Sequence, residues 1–314
     1  MKRKSRLLAQ KLLARPMPRV PIQPVDTKNE EVYDYFQGGF DVDSGIVHCA
    51  SIIERYPESS IPYYSLAGLL RPYDVNLALR AMELASAFAA RALGATDFTN
   101  GKPLFLGEKE RHFLYCVYWR ASDNVALGNY TLARRLFERM LVLNPRDVAG
   151  VRKRLPSLYM YFNEPSLVYD LLATYEESYM IEAQIVSLAY AVEEGRIEDA
   201  ANLVGEIAEH GPMALLGIVG SIKLPVHCDG NCGIGDLEEA SEMLRNLAPC
   251  ASNLGPLISV LCQCIPPSCL SDPCGTFTFG ELKSSPWMLE SRWQYDDSLV
   301  HALREAIGSR MSTH

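Results

Sequence analysis

No apolar run in this chain reaches the ~18–20 residues that a bilayer-spanning helix requires. Met213–Val226 comes nearest, but it is short and interrupted by Lys223. The first residues also lack the apolar core of a secretory signal. Phosphate-cradling Gly-rich loops, nucleophile elbows and metalloprotease helices are missing as well. Gly230-Asn231-Cys232-Gly233-Ile234-Gly235 is rich in glycine but follows no strand pattern, so it is not read as a dinucleotide loop. The six histidines are scattered. His48, His112 and His301 fall on expected helices, where a satisfied structural histidine is commoner than a base. These absences lead us to expect a non-enzymatic protein with no membrane span.

Acidic residues are missing from residues 1–25, which hold seven Lys or Arg. The remaining residues are acidic, near −15 (23 basic, 38 acidic), within a total of −8. Phosphate would be repelled by such a body, so nucleic acid is not the expected partner. The basic start leaves three readings open: a solvated, partly helical arm, an organelle-targeting peptide with Leu7, Leu8 and Leu12 on one side, or a nuclear-import patch at Lys2-Arg3-Lys4. Pro16, Pro18, Pro21 and Pro24 follow as an extended linker. Residues 1–25 are therefore expected to be a disordered arm and linker.

What is present is a repeat. Gly128, Ala133, Phe137, Met140 and Pro145 are matched 67 residues later by Gly195, Ala200, Val204, Ile207 and Pro212. A middle copy fits between Val148 and Met180, with Phe162-Asn163 at its turn. An earlier copy has Gly38-Gly39-Phe40 at its turn and Cys49 where Phe137 stands in the clearer one. The spacing predicts helices over Asn29–Phe36, Ser44–Arg55, Tyr63–Leu70, Val75–Leu93, Arg111–Ala121, Tyr130–Leu143, Val151–Tyr161, Leu167–Tyr175, Ile181–Glu193, Ile197–Glu209 and Met213–Ile222. Small residues at 133 and 200 let two helices approach, and glycines at 128 and 195 permit a positive φ at a helix end. Pro156 is expected to sit inside a helix and kink it.

These residues resemble the tetratricopeptide repeat, a 34-residue helix–turn–helix unit with a small residue at the helix crossing, an aromatic on the second helix and a closing proline. The likeness covers roughly residues 26–215. It departs at the first-helix tryptophan slot, filled by Val117, and at Arg120, where a leucine is expected. It implies an all-α fold: an α-α superhelix, or solenoid of helical hairpins, over 26–225, with a Cys-rich, loop-rich cap over 226–314. It also implies a scaffold or adaptor whose first helices line a concave groove for a peptide or partner protein. The groove residues in this register are Tyr64, Arg71, Tyr115, Tyr118, Arg152 and Tyr159. Tyrosines offer contact area at low entropic cost, and arginines fork onto carboxylates. Packing between helices is an equal alternative for several of these tyrosines.

Seven of the nine cysteines fall between 228 and 274, and the number is odd. With Cys49 and Cys116 on expected helices, free thiols in a reducing, cytoplasmic or nuclear compartment are the default reading. Cys262, Cys264, Cys269 and Cys274 could hold a structural zinc, the one cofactor the sequence suggests, with His227, Cys228 or Cys232 as alternatives. The Cys-x-Cys-x₄-Cys spacing is similar to the zinc-binding tail of SET methyltransferases, although no β-rich catalytic domain precedes it. The alternative function is thus a zinc-stabilised regulatory module on a repeat scaffold, part of a methyltransferase-like or redox-sensing assembly. Cysteines used as small core residues are the plainer reading. His227–Glu238 can also be laid on a calcium-loop register, but a helix-entry turn, with Asp236 capping Leu237–Leu247, suits it better.

Overall fold

The computed structural model describes residues 1–16, 41–94, 107–175, 180–219 and 237–264, together with Ala302, Glu305 and Ala306. Every described element is helical. The chain divides into two compact units, Met1–Val151 and Arg152–His314. This differs from the expected division at 225/226, because the described part of 226–314 packs among helices that precede it.

The first unit contains α1 (Arg3–Leu13), α2 (Val42–Arg55), α3 (Ser60–Leu70), α4 (Val75–Ala92), α5 (Glu108–Ala126) and α6 (Tyr130–Leu143). From α2 to α6, each helix packs on the next. The Ala-rich α4 buries Ala78, Ala81, Ala85 and Ala89, so its neighbours can come close. Asp74 caps α4 by accepting from the Leu77 amide at 3.2 Å. The α5–α6 turn closes through Gly128, at φ +76°, a conformation that a Cβ would strain. Along α6, Ala133, Phe137, Met140 and Leu143 are buried at helical spacing.

Within the expected disordered arm, Arg3–Leu13 is a packed helix, whereas the Pro-rich linker beyond Pro16 lies outside the described residues. Ser5, Ala9, Leu12 and Leu13 give α1 a buried side, which lies on α2 and α4. The Arg80 guanidinium donates to the Leu13 carbonyl at 3.2 Å and to the Arg15 carbonyl at 2.8 Å. These bonds satisfy acceptors that a helix end otherwise leaves open. Arg6 pairs with Asp74 at 2.6 Å. Leu7, expected on the same side as Leu12, is 54% exposed, because the buried side runs through 5, 9, 12 and 13. Arg80→Ala is expected to lower the first unit's stability by about 1–3 kcal/mol, read by thermal unfolding, because two charged hydrogen bonds to carbonyls are lost.

The second unit is built around α9 (Ile181–Glu193), in which every residue from Ile181 to Val192 is buried. A helix buried on every side stands at a centre, although this one carries Glu182, Gln184 and Ser187 among its apolar residues. It is packed by α7 (Leu155–Tyr161), α8 (Pro165–Thr174), α10 (Ile197–His210), α12 (Leu237–Leu247) and α13 (Gly255–Cys264), with α11 (Pro212–Ile218) joining α10 and α12. Pro156 does not kink a helix. It stands in the first turn of α7, as Pro165 does in α8, where the missing N–H costs nothing. Asn163 takes φ +55° at the turn between them, a role open to asparagine. Buried Glu182 accepts from the Asn246 amide at 2.7 Å, tying α9 to α12.

Leu237–Cys264 runs on as one helical stretch of 28 residues whose most apolar window has mean hydropathy 1.3. Leu237–Leu247 coincides with the helix expected there, and the continuation to Cys264 goes beyond it. Its middle, Ala248–Leu254, is a 3₁₀ segment carrying Pro249, and its apolar side packs on α7, α9 and α11. The expected helix over Asn29–Phe36, the earliest repeat turn and the calcium-loop register as far as Asp236 lie outside the described residues, and Glu238 of that register is buried on α12.

Candidate functional site

In the first unit, α3 and α5 are the first helices of two successive hairpins, α3–α4 and α5–α6. Side chains join them at both ends with one constant offset. At the start, the Ser60 hydroxyl meets His112 Nε2 at 3.0 Å; at the finish, Arg71 forks onto Asp123, with Nε–Oδ1 at 2.6 Å and Nη2–Oδ2 at 3.1 Å. Both pairs are 52 residues apart. A constant offset means that the two helices run parallel and in register.

The six expected groove residues fare differently within this arrangement. Arg71 is committed inside the fold: besides its fork onto Asp123, its guanidinium lies 4.4 Å from the Trp119 ring centroid. Tyr64 is half-buried with its ring edge-on to His112, centroids 5.4 Å apart. Tyr118 packs against Trp119 and against Phe137 of α6. Tyr115 is 41% exposed. In the second unit, Arg152 lies over the Tyr175 ring at 5.3 Å. Tyr159 is a core residue, 6% exposed, and the groove role expected of it is corrected accordingly. An apolar ring with a polar tip suits either setting, which is why the sequence did not separate them.

An open stripe remains on α5. Arg111, Tyr115 and Ser122 recur at intervals of four and seven, so they share one side of the helix. Arg111 and Tyr115 are exposed and Ser122 is half-buried. On α3, Gly68 stands one turn beyond Tyr64, and a Cβ placed there would meet nothing within 4 Å. The sequence reading missed Arg111, which lay at the edge of the expected helix. It also missed Asp123, although an Asp between Ala121 and Val125 on a helix is a signal of a buried partner.

The electrostatics of the α3–α5 seam follow from burial. Desolvation pushes the His112 imidazole down to about 4, so the ring is neutral. The Cys116 thiol, 3.5 Å from the same Nε2, is fully buried, and burial raises it well above its usual range. Burial keeps Cys116 a neutral thiol beside the half-buried His112. Asp123 is raised by desolvation, with Arg71 opposing the shift.

Of the four expected zinc ligands, two are described, and they diverge. Cys262 is exposed and Cys264 is buried on α13, since residues two apart on a helix diverge by about 200°. The Cys264 thiol is pushed up to about 11 by burial, and those of Cys49 and Cys250 to about 12. Cys269 and Cys274 lie outside the described residues, as do Cys228 and Cys232. Among the described residues, no group of three or more His, Cys, Asp or Glu could hold a metal.

Charge is divided between the units. Met1–Val151 holds 20 Lys or Arg and 16 Asp or Glu, a net +4; Arg152–His314 holds 10 and 22, a net −12. The acidic body expected from the sequence is therefore the second unit. Compared with known protein families, curated proteins and solved structures, the chain matches none.

Proposed function

We propose that this chain is a non-enzymatic interaction scaffold of tetratricopeptide-like helical hairpins. Its first unit takes an extended peptide or a partner's helix against the stripe on α3 and α5. The observation that carries the reading is the 52-residue register, which sets two first helices parallel and leaves Arg111 and Tyr115 facing solvent, with open space at Gly68 farther along α3. Parallel first helices form the binding side in stacked hairpin repeats. A ring at 115 supplies rigid contact area, and a guanidinium at 111 reads a carboxylate on the ligand.

The test separates this stripe from the packed residues. A Tyr115→Ala, Arg111→Glu double variant is expected to lose a captured partner by roughly tenfold or more in affinity, as hot-spot tyrosines and arginines do. Its thermal unfolding should stay within about 0.5 kcal/mol of wild type, as surface substitutions do. Titration of the purified partner segment by calorimetry, beside a melt of each protein, gives both readouts. Retained affinity, or an unfolding loss that accounts for the lost binding, removes the stripe as the site.

A further inference from the structure

Helix α1 has a second side that its packing does not use. Ser5, Ala9, Leu12 and Leu13 are buried, so residues 3, 4, 7 and 11 are carried outward on a face about 12 Å long. Arg3, Lys4 and Lys11 are exposed there and have no ion-pair partner among the described residues, while Leu7 stands 54% exposed between them. Arg6, by contrast, is held by Asp74. Because α1 is fastened to α2 and α4, these cations are presented on a rigid element. Three exposed cations around an exposed leucine form a fixed positive surface that calls for an anionic counterpart with some apolar content.

The chain itself holds such a counterpart, since the second unit is −12 against +4 for the first. Its α9–α10 turn, Glu193-Glu194-Gly195-Arg196-Ile197-Glu198-Asp199, places four exposed carboxylates around one arginine. Arg196 engages Glu194 and Asp199. Asp170 on α8 is exposed as well, and so is Tyr169, whose hydroxyl Arg196 reaches. Aromatic and aliphatic surface therefore stands beside the negative charge.

We infer that the exposed basic face of α1 docks on the acidic second unit of another copy of this chain. The contact joins unlike surfaces, so it is heterologous, and each copy keeps one free face of either kind. Growth is then by head-to-tail addition. The face is small beside the ~800 Å² per partner of a standard interface, so the association is weak. It is also salt-labile, because exposed charges are screened over about 10 Å at 0.1 M salt and 3 Å at 1 M.

Sedimentation of the full chain over a range of concentrations tests this. At low salt the weight-average mass should rise with concentration, and 0.5 M NaCl should return it to the monomer. Lys4→Glu with Lys11→Glu, and separately Glu193→Lys with Glu198→Lys, should each weaken self-association by roughly tenfold or more, as reversal turns attraction into repulsion. Mixing the two variants should restore association, because each supplies the face that the other lacks and the two reversed faces are again opposite in charge. Far-UV circular dichroism and melting of each variant should match wild type, since all four positions are exposed. A wild-type chain that stays monomeric at low salt overturns the inference, including when it co-sediments with phosphatidylserine vesicles, which would assign the face to lipid. Association that survives both pairs of reversals overturns it equally.

Discussion

Arg71→Ala is expected to lower the stability of the first unit by about 3–5 kcal/mol, the range for breaking one side of a buried ion pair. The loss is large because of what remains. Asp123 is 1% exposed and would be left with a desolvated charge and no fork. Arg71 is 26% exposed, so the reverse deletion is milder: Asp123→Ala leaves a guanidinium that still rests on Trp119 and reaches water. An expected order follows, with Arg71→Ala worst, Asp123→Ala less severe, and Arg71→Lys between Arg71→Ala and wild type, since lysine keeps the charge without the fork. The penalty also depends on pH. Burial already raises the Asp123 carboxyl, and removing Arg71 takes away the opposing influence. A carboxyl raised in the folded state favours folding at low pH and loses that contribution as pH rises through its unfolded and then its folded value. The Arg71→Ala loss should therefore shrink as pH falls toward 4. Urea unfolding of the three variants at pH 7 and pH 4.5 gives the comparison. Equal losses for Arg71→Ala and Asp123→Ala would contradict the asymmetry of burial.

The second large effect is acid lability at His112. Its folded-state value is depressed from 6.5 to about 4 by burial, so the unfolded chain binds the proton more readily. The neutral ring's contribution is complete above pH 6.5 and is lost as pH falls toward 4. At about 1.4 kcal/mol per unit of pKa, the loss over the window is about 3 kcal/mol. The Ser60 hydroxyl and the Cys116 thiol both lie against Nε2, and protonation turns an acceptor into a donor there. His112→Gln is expected to be less stable at pH 7 but to show a much flatter stability profile between pH 6.5 and pH 4. A profile as steep as that of wild type would move the acid sensitivity elsewhere. Glu182 in the second unit acts with the opposite sign. Its carboxyl is raised by burial, against the hydrogen bond from Asn246, so its contribution fades as pH rises. The two units should consequently respond in opposite directions to mild acid at these sites.

Much of the helical pattern was legible because local chemistry wrote it twice. Tyr130–Leu143 and Ile197–His210 are each 14 residues long and coincide end to end at the 67-residue offset. Ala133 and Ala200 are both fully buried, as are Phe137 and Val204. Gly128 and Gly195 take φ of +76° and +69°. Each of these features depends on neighbours within a turn or two, which a one-dimensional pattern can express. The candidate site was less legible because its decisive contacts are distant. Arg71 and Asp123 are 52 residues apart, on helices that no short-range pattern links. The charge of α1 suggested a solvated arm, and its four buried positions include Ser5 and Ala9, which carry little hydrophobic signal. Cys262 and Cys264 looked like a chelating pair because spacing alone does not say that a helix will carry them apart.

The burial of α9 bears on the timing of synthesis. Its neighbours include α12 and α13, which are made last among its contacts, whereas the helices that pack around α4 and α5 are complete by Leu143. Domains fold as units while the ribosome is still extending the chain. A nascent polypeptide halted near residue 219 would thus present a finished leading unit followed by an apolar rod with part of its wrapping still untranslated. Such an intermediate is a substrate for holdase chaperones, and premature termination before residue 237 should send the product to degradation rather than yield a shorter working protein.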